Sequence, residues 1–145
     1  MIKIIHITPH LSGGLARVLV STLKYAKEFT PDISHEIISM EDFSNETKSL
    51  FARCKNRLHI KKSQEFIAAK IEKADIIQLE WWNHPALFKT LCVENLSAMR
   101  LLVWCHVSGL FPPFIPEGII RLAEKFLATS PCTQDAESVL QFAKT

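Results

Sequence analysis

Short runs of β-branched and other apolar residues alternate with amphipathic segments along the whole chain, and this alternation constrains the fold most strongly. The runs that predict buried strands span residues 2–7, 36–40, 57–60, 74–79, 100–105 and 126–129. Strands that alternate with helices in this way form right-handed β-α-β crossovers and a parallel sheet. We therefore predict an α/β fold over residues 1–145. It is a Rossmann-like three-layer α/β/α domain with a mostly parallel sheet of about six strands.

The helices between these strands are predicted from apolar spacing, caps and prolines. Helical spacing places Leu15, Val18, Leu19, Leu23, Tyr25 and Ala26 on one apolar face of a first helix. Further helices are predicted after Ser63 and over residues 85–96, 117–125 and 130–142. Ser63 and Ser130 are good N-cap residues. Residues 111–116 are rich in proline, which predicts a stiff loop.

Charge gives little indication of a partner. The net charge is only +2 across 145 residues, so no nucleic-acid partner is expected. One basic run has no acidic residue within it and consists of Arg53, Lys55, Arg57, Lys61 and Lys62. This run is interpreted either as a solvated edge or as a contact for anionic lipid or a phosphorylated acceptor.

Cysteine usage indicates a reducing compartment. Cys54, Cys92, Cys105 and Cys132 show no C-x-x-C spacing, so neither a zinc site nor a redox pair is expected. They are interpreted as reduced, buried side chains of a cytoplasmic protein. No signal peptide is predicted, and no apolar run approaches the roughly 20 residues that cross a bilayer. We expect no metal and no cofactor.

Three loops at the carboxyl ends of predicted strands carry candidate functional residues. In the first, Gly13 and Gly14 precede the first helix, where paired glycines and a helix N-terminus can seat a phosphate. A plain strand-to-helix turn is the alternative. The dinucleotide fingerprint G-x-G-x-x-G and the P-loop are both absent from this loop.

The second loop is Glu80-Trp81-Trp82-Asn83-His84, which resembles a sugar-binding platform. Flat rings can stack on a pyranose while Glu, Asn and His side chains bind its hydroxyl groups. The alternative is that a tryptophan packs against the neighbouring helix, which we expect of at least one of the two.

The third loop places His106 at the end of the fifth predicted strand, before a Ser-Gly turn. A histidine there can donate to a hydroxyl group or transfer a proton, and a purely structural histidine is the alternative. From the residues alone, the sequence predicts an α/β domain with a cleft for a polar ligand.

Several segments resemble, in the same order, the strand-end segments of group 1, family-4-type GT-B glycosyltransferases. They are residues 2–9, 12–14, 17–18, 75–80, 102–106 and 127–130. In that family two Rossmann-like domains face each other across a cleft, and the N-terminal one mainly binds the acceptor. The resemblance implies that residues 1–145 are this N-terminal half of a retaining, metal-independent enzyme. Such an enzyme moves a sugar from a nucleotide-sugar donor to a saccharide or lipid-linked acceptor.

The resemblance also implies roles for individual residues. Gly13 and Gly14 would approach the donor diphosphate, and His106 would lie near the transferring sugar as the catalytic residue. The acceptor side would comprise Glu80, Trp81, Trp82, Asn83, His84 and Ser130. Ala16 stands where the family commonly has a glutamate, which weakens any role for Arg17. A chain with half of the cleft would show little or no transfer alone.

Other interpretations remain open. The chain could be a stand-alone, non-catalytic module that binds a carbohydrate or a protein partner, or a nucleotide-binding α/β domain of another class. The apolar loop at 111–116 could touch a membrane surface or pack in a domain interface. An exposed half of a cleft would also favour a homodimer.

Overall fold

The computed structural model describes residues 1–52 and 57–143 and shows one six-stranded parallel sheet flanked by helices. The strands are β1 (Ile2–Thr8), β2 (Ile33–Ser39), β3 (Leu58–Ile60), β4 (Ile76–Trp81), β5 (Leu101–Cys105) and β6 (Lys125–Ala128). They are hydrogen-bonded in the order β3-β2-β1-β4-β5-β6. The predicted Rossmann-like α/β fold is confirmed. The strand order reverses between β1 and β4, where doubly wound folds have their crevice.

The helices are α1 (Gly13–Phe29), α2 (Asn45–Leu50), α3 (Gln64–Glu72), α4 (Pro85–Leu91), α5 (Glu117–Leu122) and α6 (Glu137–Phe142). The predicted cap at Ser63 is confirmed, because its hydroxyl accepts a hydrogen bond from the backbone N–H of Phe66. Among the described residues, no helix has both the length and the apolar character needed to cross a lipid bilayer.

Three predicted helices end or break earlier than expected. The helix predicted to reach residue 96 stops at Leu91, and Asn95 then adopts a φ of 58°. The helix predicted to reach residue 125 stops at Leu122, because β6 already begins at Lys125. The single helix predicted over 130–142 is wrong. Extended backbone at Ala136 separates a short 3-10 helix, Pro131–Asp135, from α6.

The two faces of the sheet carry separate apolar clusters. On one face, alternate residues of the central strands such as Ile5, Ile7 and Leu79 pack with α3, α4 and α5. On the other face, Ile37 and Phe51 pack beneath α1. The β-strand period of two sends neighbouring residues to opposite faces, so β2 contributes Ile38 to the first cluster and Ile37 to the second.

The buried face of α1 is narrower than predicted. Leu15, Leu19 and Leu23 are buried, as expected. Val18 and Tyr25 are 42% and 60% exposed, so their predicted place on the buried face is wrong. At 3.6 residues per turn they fall outside the stripe that the buried leucines define.

The cysteines differ in burial. Cys105 is fully buried within β5, which confirms its predicted place in the core. Cys92 is exposed because it lies just after the end of α4, so the same prediction is wrong for this residue. Cys54 lies outside the described residues.

Gly109 is the glycine whose replacement we expect to cost most. Its φ is +76°, and an added Cβ would lie 2.7 Å from Ile115 Cδ1 and 3.1 Å from Ala136 Cβ. Left-handed strain and overpacking together should make Gly109→Ala less stable by about 1–3 kcal/mol. Denaturant unfolding measures this loss. Gly118→Ala is the matched control, because no atom lies within 4 Å of the added Cβ. A Gly109→Ala variant as stable as Gly118→Ala would contradict the expectation.

Candidate functional site

The carboxyl ends of β1, β4, β5 and β6 border a cavity of about 440 Å³. Its lining comprises His10, Ser12, Gly13, Gly14, Leu15, Val18, Trp82, Trp104, His106 and Thr129. The fold therefore brings together residues from all three loops that the sequence singled out. Ligands of open parallel sheets bind beyond the carboxyl ends of the strands, and ligand pockets have volumes of this order.

The N-terminus of α1 presents backbone donors to this cavity. The side chain of Ser12, at the N-cap, makes no capping bond, and the first turn holds no acidic residue. The first N–H groups of a helix have no intrahelical partner, and the helix dipole adds positive character there. A Cβ added to Gly13 or Gly14 would meet nothing within 4 Å. This end of α1 is therefore open and suited to an anionic group.

Aromatic rings form the opposite part of the lining. Trp82 and His106 stack with ring centroids 4.8 Å apart and planes 15° apart. Trp104 lies 5.3 Å from the His106 ring, and His10 lies 5.0 Å from Trp82. The buried indole Nε1 of Trp82 has no hydrogen-bond partner among the described residues. A buried indole N–H usually has an acceptor, so this N–H is an unsatisfied donor within the aromatic wall.

Glu80 is the charged group behind the aromatic wall, and its side chain is fully buried. Its Oε2 lies 2.8 Å from His106 Nε2, and its Oε1 lies 3.2 Å from His6 Nδ1. Gln78 Nε2 also donates to Oε1, at 2.8 Å. Burial acts to raise the pKa of Glu80, but the hydrogen bonds from His106 and His6 outweigh it and hold that pKa below its usual value. The carboxyl group is therefore ionised at neutral pH and orients the His106 ring.

Trp81 and Asn83 lie outside the cavity lining. Trp81 is fully buried on the other face of the sheet, with its ring edge-on to Phe88 at 5.0 Å. This agrees with the expectation that one tryptophan packs against the neighbouring helix. Asn83 has a φ of 56°, and its Nδ2 donates to the carbonyl of Phe114 at 3.2 Å. Asn83 therefore ties the loop after β4 to the proline-rich loop.

His84 and Ser130 also lie outside this lining and have local structural partners. His84 caps α4, because its Nδ1 accepts from the backbone N–H of Ala86 at 3.2 Å, and its Nε2 lies 3.3 Å from Glu41. Ser130 precedes the 3-10 helix, and its Oγ lies 3.0 Å from Cys132 Sγ.

Several residues of the site were not predicted. His10, Trp104 and Thr129 line the cavity, and His6 reaches Glu80 from β1. Trp104 and His106 are two residues apart, so strand alternation alone indicates that they share a face. His35, to which the sequence analysis gave no role, lies 2.9 Å from His6. Only the order of the strands brings these two together.

The described residues of the basic run and the proline-rich loop do not line the cavity. Of the basic run, Arg53 and Lys55 are outside the described residues. Lys62 Nζ lies 5.6 Å from the centre of the Phe66 ring. In the proline-rich loop, Phe111 is 76% exposed, so this loop presents an apolar side chain at its surface.

The chain matches no protein-family model, and the comparisons with curated proteins and with solved structures found no match either. The site is therefore interpreted from its own geometry. That geometry combines an open helix N-terminus, stacked aromatic rings and a histidine held by a buried carboxylate.

Proposed function

We propose that this chain is the N-terminal, acceptor-side domain of a GT-B glycosyltransferase. The enzyme would move a sugar from a nucleotide-sugar donor to a saccharide or lipid-linked acceptor. The observation that carries this proposal is the pairing of Trp82 and His106 across one cavity from the open start of α1. A sugar next to a diphosphate needs both kinds of surface, an apolar ring face and an array of anion-binding donors.

The roles follow from the lining. Gly13 and Gly14 let the diphosphate approach the unpaired N–H groups of α1. In glycosyl transfer, negative charge develops on the leaving diphosphate, and preorganised donors stabilise it most effectively. Trp82 and Trp104 offer ring faces to a sugar, and His106 can donate to one of its hydroxyl groups.

The exposed loop favours an acceptor with an apolar part. Phe111 is 76% exposed and Phe114 is 59% exposed. The loop is anchored by the buried side chain of Ile115 and by the bond from Asn83 to the Phe114 carbonyl. Two exposed rings on an anchored loop suit a lipid-linked acceptor at a membrane surface.

A titration followed by ¹⁵N NMR tests the proposal on the 145-residue chain. Inorganic pyrophosphate should shift the backbone amide signals of Gly13, Gly14 and Leu15, and UDP-glucose should shift the same signals. A panel of methyl glycosides should contain at least one that shifts the indole signal of Trp82. Gly14→Leu should abolish the pyrophosphate response by filling the open space. Gly118→Leu is the matched control, since it also adds a side chain in open space but on α5.

Each other outcome contradicts the proposal in a distinct way. A response to glycosides without any response to pyrophosphate or UDP-glucose would favour a stand-alone carbohydrate-binding module. A response to NAD at this edge of the sheet, stronger than that to UDP-glucose, would favour another class of nucleotide-binding domain. If no compound shifts the cavity signals, the cavity is not the ligand site.

A further inference from the structure

A chain of hydrogen-bonded side chains runs from the cavity across three neighbouring strands. His106 Nε2 lies 2.8 Å from Glu80 Oε2, and Glu80 Oε1 lies 3.2 Å from His6 Nδ1. His6 Nε2 lies 2.9 Å from His35 Nδ1, and these two rings are stacked. The chain of hydrogen bonds therefore links His106, which lines the cavity, to His35, a half-buried residue of β2 that does not line it.

His6 and Glu80 lie on the central strands β1 and β4, where apolar side chains are expected. Strands of a parallel sheet are covered on both faces and usually carry near-continuous apolar residues. A buried carboxylate with charged partners is often no more stabilising than apolar residues of similar volume. His6 and Glu80 are 2% and 0% exposed, so the molecule keeps them at some energetic cost. Such a cost is typical of a functional site.

The contacts also fix where hydrogens lie. Ionised Glu80 can only accept, so His6 carries hydrogen on Nδ1 and His106 carries hydrogen on Nε2. Thr129 Oγ1 donates to the Cys105 carbonyl at 2.8 Å, so at 3.3 Å from His106 Nδ1 it acts as an acceptor. Both ring nitrogens of His106 therefore face acceptor atoms, and these two contacts fix the orientation of its ring.

The distal end of the chain is neutral at neutral pH. Burial, together with charge on His6 and Arg57, lowers the pKa of His35 to about 4. On the cavity side, His10 is the other titratable group that faces His106. Burial lowers the pKa of His10, and His84 and His106 add to this effect against the opposing charge of Glu41. Glu80 is thus the negative group in contact with His106.

We infer that His35 is a positioning residue of the cavity. By pairing with His6 Nε2 it fixes the His6 ring. His6 in turn holds Glu80, and Glu80 holds the His106 ring through Nε2. The inference rests on the proposed function only in taking this cavity as the ligand site. Without His35, the buried Nε2 of His6 loses its partner, and His6 can rotate or change its tautomer.

The test is ¹⁵N NMR of the histidine rings in the wild-type chain and in three variants. His35→Leu should change the ¹⁵N chemical shifts of the His106 ring, measured at a fixed pH near 7. It should also weaken binding of the methyl glycoside that shifts the Trp82 indole signal by about threefold to tenfold, as expected when the hydrogen bond from His106 to a sugar hydroxyl group is loosened. His35→Asn retains a polar atom near the position of Nδ1 and should restore both properties.

His59→Leu is the matched control. Like His35, His59 is a half-buried histidine on a strand. It is bonded to the Glu36 carboxylate at 2.9 Å, and within residues 1–52 and 57–143 its hydrogen bonds do not lead to the cavity lining. It should leave the His106 signals unchanged. If His35→Leu leaves them unchanged as well, the inference is overturned. If it moves them in a chain that does not bind pyrophosphate, the positioning role is supported and the proposed function is not.

The wild-type spectrum decides the inference if His35→Leu fails to fold. His6 should carry hydrogen on Nδ1, with its Nε2 signal showing a bond to His35. His6 with hydrogen on Nε2 alone would overturn the inference, because Glu80 would then lack the donor through which His35 acts.

Discussion

Replacing Trp81 with alanine is expected to destabilise the chain by about 3–5 kcal/mol. The side chain is fully buried, and its ring meets Phe88 edge-on at 5.0 Å. It is also among the largest side chains of the cluster beneath α4, next to Leu87 and Leu79. Truncation would leave a large void that these neighbours cannot fill. Urea unfolding followed by circular dichroism would measure the loss.

Trp82→Ala is the informative comparison, because the two tryptophans are adjacent and point to opposite faces. Trp82 is only partly buried and lines the cavity. Its replacement should cost much less stability than that of Trp81 but remove the response to methyl glycosides. Equal losses of stability in the two variants would contradict this division between a core residue and a ligand-binding residue. So would glycoside binding that survives in Trp82→Ala.

The sequence did not show which tryptophan belongs to the core, because the end of the fourth strand was predicted two residues too early. The apolar pattern predicted that the fourth strand ends at residue 79, whereas β4 continues through Trp81. With two more residues in the strand, alternation places Glu80 and Trp82 on one face and Trp81 on the other. The Glu-Trp-Trp segment was therefore located correctly, but its three side chains could not be assigned to faces without the strand boundary.

Side-chain contacts between neighbouring strands were harder to predict than the strands themselves. Apolar runs and β-α alternation were sufficient for the parallel sheet. The contact between His6 and Glu80 depends on β1 pairing with β4, and in this register His6 lies beside Gln78. The contact between His6 and His35 depends on β2 lying on the other side of β1. His6 is a polar residue within the apolar strand β1. This feature of the sequence indicates a polar contact in the core, and no prediction was made from it.

Removing the Glu80 carboxylate should also have a large effect. Glu80→Ala would leave three donors without their acceptor, on the buried His6 and the partly buried Gln78 and His106. Removing one partner from such a buried charged set costs about 3–5 kcal/mol. Glu80→Gln keeps the shape and one acceptor oxygen, so its loss of stability should be smaller. Its amide N–H₂ group can face the N–H of His106, however, so the response to methyl glycosides should weaken.

The pH dependence of stability separates the charge of Glu80 from its packing. The pKa of Glu80 is lowered in the folded chain relative to its ordinary value of 4.5. Its stabilising contribution is therefore present above pH 4.5 and is lost as the pH falls through the lower folded value. Wild-type stability should fall more steeply than that of Glu80→Gln over this acidic range.

Glu36→Gln is the matched control for Glu80→Gln. Glu36 also has three donors, from Lys3, His59 and Lys70, and their bonds lower its pKa to about 2 against the opposing effect of burial. Because its side chain is on the other face of β2 from His35, Glu36→Gln should flatten the acid dependence of stability without weakening the binding of methyl glycosides. Equal weakening of binding in both variants would mean that a general loss of stability, rather than the support of His106, accounts for the Glu80 result.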